Sequence, residues 1–245
     1  MNRREHYLQV LGIDLWRRRG SPAVPAARTD AAQPGATPAE ATPWEPLRAQ
    51  VSSCSLCGLC ATRTQTVFGV GDRHAQVMVI GEAPGADEDR QGEPFVGRAG
   101  QLLNSMLRAF GRPRETVYIA NVLKCRPPGN RDPSPAEVAS CLPYLHRQIA
   151  LVAPRLILVV GRIAAQTLLG SDEPIGRLRG RLHHLGAAGT PLVVTYHPAY
   201  LLRSPLEKRR AWADLKLARA ELARLGAGAG AGAAAAAAPR GDAPA

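Results

Sequence analysis

Acidic residues, aromatics, cysteines and long apolar runs are all scarce in this chain. Only 20 Asp and Glu stand against 31 Lys and Arg, for a formal net charge of +11 and a pI near 10.2. That excess favours a polyanionic partner such as nucleic acid, although codon usage alone can enrich arginine. No apolar run reaches the ~18 residues that a bilayer-spanning helix needs, so no membrane partner is expected. The N-terminus, MNRREHYLQVLGIDLWRRR, has neither a continuous apolar core nor a small-residue cleavage site. No secretory signal is therefore expected, and the expected location is cytoplasmic. The five cysteines are an odd number, and three of them fall in CSLCGLC at 54–60. Such usage argues for a reducing compartment and a metal site, not a disulfide framework.

What is present divides along the chain. Residues 1–19 read as an amphipathic segment, with Tyr7, Leu8, Leu11, Ile13 and Trp16 among arginines. Residues 20–43 are a Pro/Ala-rich flexible linker. Residues 226–245 are Gly/Ala-rich low complexity that cannot bury enough surface to fold and are expected to be disordered. The folded domain is expected at 44–225. Within it, continuous apolar runs predict strands at 77–82, 116–124, 155–161 and 191–198, and helical spacing predicts helices at 99–110, 135–152, 162–169 and 205–225. Ser134 is a helix cap followed by Pro135, with Glu137 in the first turn. Strands alternating with helices imply an α/β fold around a mainly parallel sheet. Ligands of such sheets bind beyond the carboxyl ends of the strands, here GEAPG, NVLK, GRIA and YHPAY.

Chemistry-bearing residues gather at those ends. Cys125 and Cys141 are sixteen positions apart, and with Cys54 and Cys57 they complete a tetrahedral thiolate set that leaves Cys60 spare. Four such thiolates hold either zinc or an iron–sulfur cluster, and spacing does not separate the two. The segment GEAPGADEDRQGEPFVGRAGQLL, 81–103, has a glycine-rich turn after a strand but matches neither GxxxxGK[ST] nor GxGxxG, which argues against a nucleoside triphosphate. Phe95 lies in its loop, where a ring can stack on a base or pack in a core with equal ease. Asn121 interrupts the apolar run IANVL; a buried amide needs partners, and its acceptor and two donors suit a base edge. His197 follows the last strand and precedes Pro198, which holds it extended at the ligand-binding end.

These motifs, with NVLKCRPPGNRDP, HPAYLLR and the four-cysteine pattern, resemble the family 4 uracil-DNA glycosylases over roughly 44–225. The resemblance implies a three-layer α/β/α sandwich around a four-stranded parallel sheet, a 4Fe–4S cluster, and excision of uracil from DNA to leave an abasic site for base excision repair. It makes Phe95 the stacking ring, Asn121 the reader of the uracil edge, His197 the donor near uracil O2, and Cys54, Cys57, Cys125 and Cys141 the cluster ligands. Ala83 sits in the turn against the substrate but offers no base. Glu82 and Glu88 rank together as carboxylates for the attacking water. The cluster is expected to act structurally, fixing loops that bring Lys124, Arg126 and Arg131 near phosphate. Leu201 and Leu202 are candidates either for a wedge into the gap left by a flipped base or for packing. The expected partner is uracil-containing DNA, single- or double-stranded, and the expected enzyme is a nucleoid-associated monomer.

Two rivals have their own discriminators. A related module could bind uracil DNA without turnover through a covalent adduct, but relatives of that kind insert a basic, histidine-bearing loop where this chain has GNRDPSP. A non-enzymatic scaffold would have no reason to keep Phe95, Asn121 and His197 together. The segment 1–19 could dock an unnamed partner, although a surface helix packed on the domain is the simpler reading.

Overall fold

The computed structural model describes residues 43–235, with side chains through 227. The expected amphipathic segment 1–19, the linker up to residue 42 and the end of the tail from 236 lie outside the described residues.

Six strands form one sheet: β1 (Val70–Gly71), β2 (Val77–Gly81), β3 (Tyr118–Asn121), β4 (Leu156–Val160), β5 (Leu182–Leu185) and β6 (Thr190–Thr195), in the order β1-β3-β2-β4-β6-β5. The sheet is mixed. Its central four strands are parallel, whereas β1 and β5 pair antiparallel at the two edges. This corrects the expectation of four strands. The extra two are a two-residue strand and the polar run Leu182-His183-His184-Leu185, neither of which carries the continuous apolar signal of a strand buried on both faces.

Eight helices surround the sheet among the described residues: α1 (Trp44–Ser52), α2 (Ala86–Gln91), α3 (Arg98–Phe110), α4 (Pro135–Val152), α5 (Arg162–Leu169), α6 (Ile175–Leu178), α7 (Pro198–Arg203) and α8 (Lys208–Ala235). The two-residue period of the strands sorts their side chains into two cores. Met78, Ile80, Ala120, Ile157 and Val159 face α1, α4 and α5 through Leu47, Val51, Leu145 and Ala165. Val77, Val79, Ile119, Leu158 and Val160 face α3, α7 and α8 through Leu103, Leu107, Leu201 and Leu215. Helices therefore cover both faces.

Local chemistry explains the boundaries of α4. Ser134 Oγ accepts from Glu137 N at 3.3 Å and the Glu137 carboxylate accepts from Ser134 N at 2.8 Å, a reciprocal capping box with Pro135 at the first helical position. At its far end α8 runs past Leu225 to Ala235, in keeping with alanine's helix propensity. Near its start, Asp214 accepts from Arg179 and from Thr195 Oγ1 at 2.9 Å, which ties α8 to the end of β6. No helix among the described residues is long and apolar enough to cross a membrane.

Candidate active site

The carboxyl ends of the parallel strands border one cleft of about 430 Å³, lined by Glu82, Ala83, Glu88, Phe95, Asn121, Arg131, His197, Tyr200 and Arg203 among others. Glu82, Ala83, Glu88, Phe95, Asn121 and His197, the six residues that the sequence puts forward for the base and the water, all line it.

Asn121 closes β3 directly opposite Gly81 of β2. Its side-chain oxygen is the one buried side-chain polar atom without a hydrogen-bond partner among the described residues. An unsatisfied buried acceptor costs roughly 1–3 kcal/mol, so a ligand that donates to it recovers what the empty fold forgoes. A Cβ at position 81 would collide with the Asn121 oxygen and come within 2.6 Å of the Phe95 ring. Glycine at the end of β2 is thus what leaves room beside the amide. Its counterpart after β4 is Gly161, at φ +107°, where a Cβ would lie 3.2 Å from His197 Cβ. Across the strand ends the order is therefore Asn121, glycine, glycine, His197.

Phe95 is held in the left-handed region at φ +56°, a costly conformation for a bulky residue that persists only when its surroundings dictate it. Those surroundings act on both sides of the loop. Glu88 Oε1 accepts from Val96 N at 3.0 Å and Gly97 N at 3.2 Å, while Oε2 accepts from Gly85 N at 3.1 Å. Arg114 donates to the carbonyls of Pro94 at 2.7 Å and Phe95 at 3.4 Å. Gly100 gives the Phe95 carbonyl its space, since a Cβ there would overlap it. The Phe95 ring lies 5.6 Å from the His197 ring at 32°.

His197 caps α7, its Nδ1 accepting from Ala199 N at 3.1 Å. That bond leaves the ring proton on Nε2. Burial and then the Arg203 charge push its pKa down to about 4, against a smaller opposing pull from Glu88. The ring is a neutral donor at physiological pH.

The two candidate carboxylates differ sharply. Glu88 has both oxygens engaged by main-chain N–H groups. The Glu82 carboxylate accepts no hydrogen bond from the described residues, and burial, then the nearby Asp132 charge, raises its pKa to about 7 against the pull of Arg162. Of the other acids in that run, Asp89 accepts from Thr64 N and Asp87 pairs with Arg90. Arg131 at the cleft is gripped through both terminal nitrogens by Glu137, at 2.6 and 2.9 Å. That grip holds the Glu137 carboxyl down to about 2.

The cysteines form a second centre. Cys54, Cys57, Cys60, Cys125 and Cys141 line one small cavity with Arg63, Lys124 and Tyr144. Arg63 donates to Cys125 Sγ at 3.1 Å and Lys124 N donates to Cys141 Sγ at 3.2 Å. Among the described residues no group of three or more His, Cys, Asp or Glu side chains is placed to hold a metal ion.

One expectation fails here, and one open alternative is narrowed. Lys124 is 1% exposed and points into the interior, so it cannot meet phosphate. Leu201 is equally buried and takes the packing role, while Leu202 beside it is 37% exposed. Tyr200, Asn130 and Arg114 were missed. Asn130 at φ +55° follows a glycine in a loop, a detectable turn signal. Arg114 is linked to Phe95 by nothing readable in the sequence.

A family model described as the uracil DNA glycosylase superfamily matches residues 68–216. The chain is 44% identical over 173 residues to a type-4 uracil-DNA glycosylase of Archaeoglobus fulgidus, covering 68% of this chain and 87% of that protein. It is 43% identical to a type-4 uracil-DNA glycosylase of Pyrobaculum aerophilum, covering 68% and 88%. A type-4 uracil-DNA glycosylase of Thermotoga maritima is 43% identical, covering 63% and 81%.

Proposed function

The chain belongs to the uracil-DNA glycosylase superfamily, on its type-4 branch, and from that premise we propose how its cleft and its cysteines serve the reaction. The protein is a DNA-repair hydrolase that excises uracil from DNA and leaves an abasic site.

Uracil within a duplex must leave the stack to enter the cleft, at a cost of a few kcal/mol that is smaller at a U·G mismatch. Phe95 provides the face on which the base stacks, with Ala83 lining the same cleft. Asn121 Oδ1 accepts from uracil N3–H, and its amide donates to O4. Cytosine has no proton at N3 and a donor at C4, so it meets the amide with both polarities wrong. The unpartnered, buried Asn121 oxygen is the observation that carries this reading.

Cleavage of the N-glycosidic bond leaves negative charge on the ring, largely at O2. His197, neutral with its proton on Nε2, donates there; the bond strengthens as charge develops, and a preorganised donor of this kind is worth roughly 3–4 kcal/mol by analogy with oxyanion holes. Glu82, in its ionised form, orients the water that attacks C1′. Glu88 acts as the clamp that sets Phe95.

Cys54, Cys57, Cys125 and Cys141 would hold a 4Fe–4S cluster, with Cys60 outside the set; the shared cavity and the N–H bonds at sulfur support that assignment. Bound there, the cluster supplies covalent anchors that cross-link the loop after α1, the segment after β3 and helix α4. The surplus of positive charge supports uracil-containing DNA as the partner, single- or double-stranded.

A labelled uracil oligonucleotide treated with alkali after incubation tests the activity, and Asn121→Asp tests the reading of the base. The substituted carboxylate can accept from cytosine's amino group but cannot donate to O4, so discrimination against cytosine should weaken. Undiminished uracil excision and unchanged discrimination in Asn121→Asp would remove Asn121 from the recognition role.

A further inference from the structure

Lys124 is an unusual residue to find in the interior. Its ammonium donates to the main-chain carbonyl of Asn121 at 2.7 Å and to Gln148 Oε1 at 2.6 Å. Gln148 is itself fully buried, its Nε2 donating to Phe68 O at 2.8 Å and Tyr118 Oη at 3.3 Å. No carboxylate pairs with the ammonium among the described residues. Burying an ammonium is expensive, and what offsets the cost here is the Cys141 sulfur nearby and the two buried acceptors, which an apolar side chain would leave unsatisfied. The reason for a lysine is therefore sought in what the ammonium holds.

The backbone around it joins the two functional centres. Lys124 N donates to Cys141 Sγ at 3.2 Å, and the next residue is Cys125. Between Asn121 and Lys124 the chain remains hydrogen-bonded to β2's end: Val122 N donates to Gly81 O at 2.9 Å and Leu123 N to Glu82 O at 3.0 Å. Lys124 then reaches back over this short turn to the carbonyl of the residue that began it. Its donor holds the carbonyl end of the peptide following Asn121, whose N–H end Gly81 O already holds, and the two together restrain the direction in which the Asn121 side chain leaves the strand. A side chain with a single unpartnered acceptor has no other hydrogen bond to orient it before the base arrives.

We propose that Lys124 is a positioning residue for uracil recognition, a buried strut that sets the Asn121 amide from the cysteine-lined cavity. The proposal rests on the reading of Asn121 as the reader of the uracil edge. It also assigns the cysteine centre a specific consequence for the cleft: displacement of Cys125 or Cys141 is transmitted to base recognition through this strut.

The test is a double-mutant cycle between Lys124→Met and Asn121→Ala. For each protein, single-turnover excision, the affinity for free uracil and the iron content are measured. Lys124→Met should keep its iron yet lose roughly 10- to 100-fold in rate, the loss typical of a hydrogen bond to a charged group, with a parallel loss of uracil affinity. In the Asn121→Ala background the same substitution should cost nothing further. A full additional loss in that background would overturn the proposal, because Lys124 would then act on the fold at large. Should Lys124→Met lose iron or fail to fold, Gln148→Met replaces it in the cycle. A loss that vanishes with Asn121→Ala supports the strut, and a loss that persists, or none at all, overturns it. Asn121→Ala with undiminished excision would instead refute the reading of Asn121, an outcome distinct from additivity.

Discussion

Two glutamates six residues apart in one segment have been given different work by their surroundings. Glu88 is consumed by three main-chain donors, whereas Glu82 stands partly desolvated with its pKa raised to about 7. If Glu82 orients the water as a carboxylate, the single-turnover rate should climb with pH through about 7 and then level off. Glu82→Gln should lower the plateau and abolish the climb. His197, held down to about 4, contributes no titration between those values; an acid limb near 6.5 that survives in Glu82→Gln would reassign it. The same shift has a stability sign. The folded state holds the Glu82 proton more tightly than the unfolded chain does, so its contribution to stability falls as pH rises from about 4.5 to about 7. Glu82→Gln should therefore raise the melting temperature at pH 8 and leave it nearly unchanged at pH 4. Gly81→Ala makes a steric prediction: its Cβ would meet Asn121 and the Phe95 ring, so excision should fall at least tenfold while DNA affinity is kept, as DNA titration and single-turnover rates would show. At this scale placement at the cleft was legible wherever a residue contradicted its own setting: Asn121 in an apolar strand, His197 at a strand's end, Phe95 in a loop. It was illegible where a role depends on a partner far away in the chain. Nothing in the run ADED separates Glu88 from its neighbours, and a lysine is by default an exposed residue, which is why Lys124 was misread as a phosphate contact.

Elements were read best where one signal dominated. Helix α4 lies where Ser134, Pro135 and Glu137 placed it; β2, β3 and β4 lie within their apolar runs, and β6 begins one residue before its run. The edge strands and the short helices α1, α2, α6 and α7 were not seen, because their formation depends on neighbours and not on their own pattern. The cysteine centre belongs to this scale, since it joins elements. Cys57, Cys125 and Cys141 pack with the core shared by α1 and α4. If a 4Fe–4S cluster is held there, purified protein should be yellow-brown with broad absorption near ~400 nm. Cys125→Ser should lose colour and solubility together, whereas Cys60→Ser should retain both. Stoichiometric zinc without iron after anaerobic purification would overturn the cluster assignment.

Charge is a property of the whole molecule. Residues 1–42 carry six arginines against four carboxylates and 236–245 one of each, so nine of the eleven net positive charges lie in 43–235. Phosphate contacts should accordingly come from the folded domain, around Arg126, Arg131, Arg203, Lys208 and Arg209. A chain cut to residues 43–235 should keep excision at low salt and nearly the same slope of binding against log salt. A folded, brown, shortened protein with a collapsed slope would place the main DNA grip in the segment removed. The glycines at the ends of β2 and β4 have a further consequence for such a molecule. The space a side chain would take at either position is filled by the groups above it, the Asn121 oxygen and Phe95 ring over Gly81 and the His197 side chain over Gly161, so the gauge between Asn121 and His197 is ruled by the hydrogen-bond spacing of neighbouring strands, about 4.8 Å per step. Any side chain at 81 or 161 would push those groups into the cleft. Enlarging the appetite of this enzyme to a bulkier base is therefore closed to point mutation at these two positions, where there is nothing to trim.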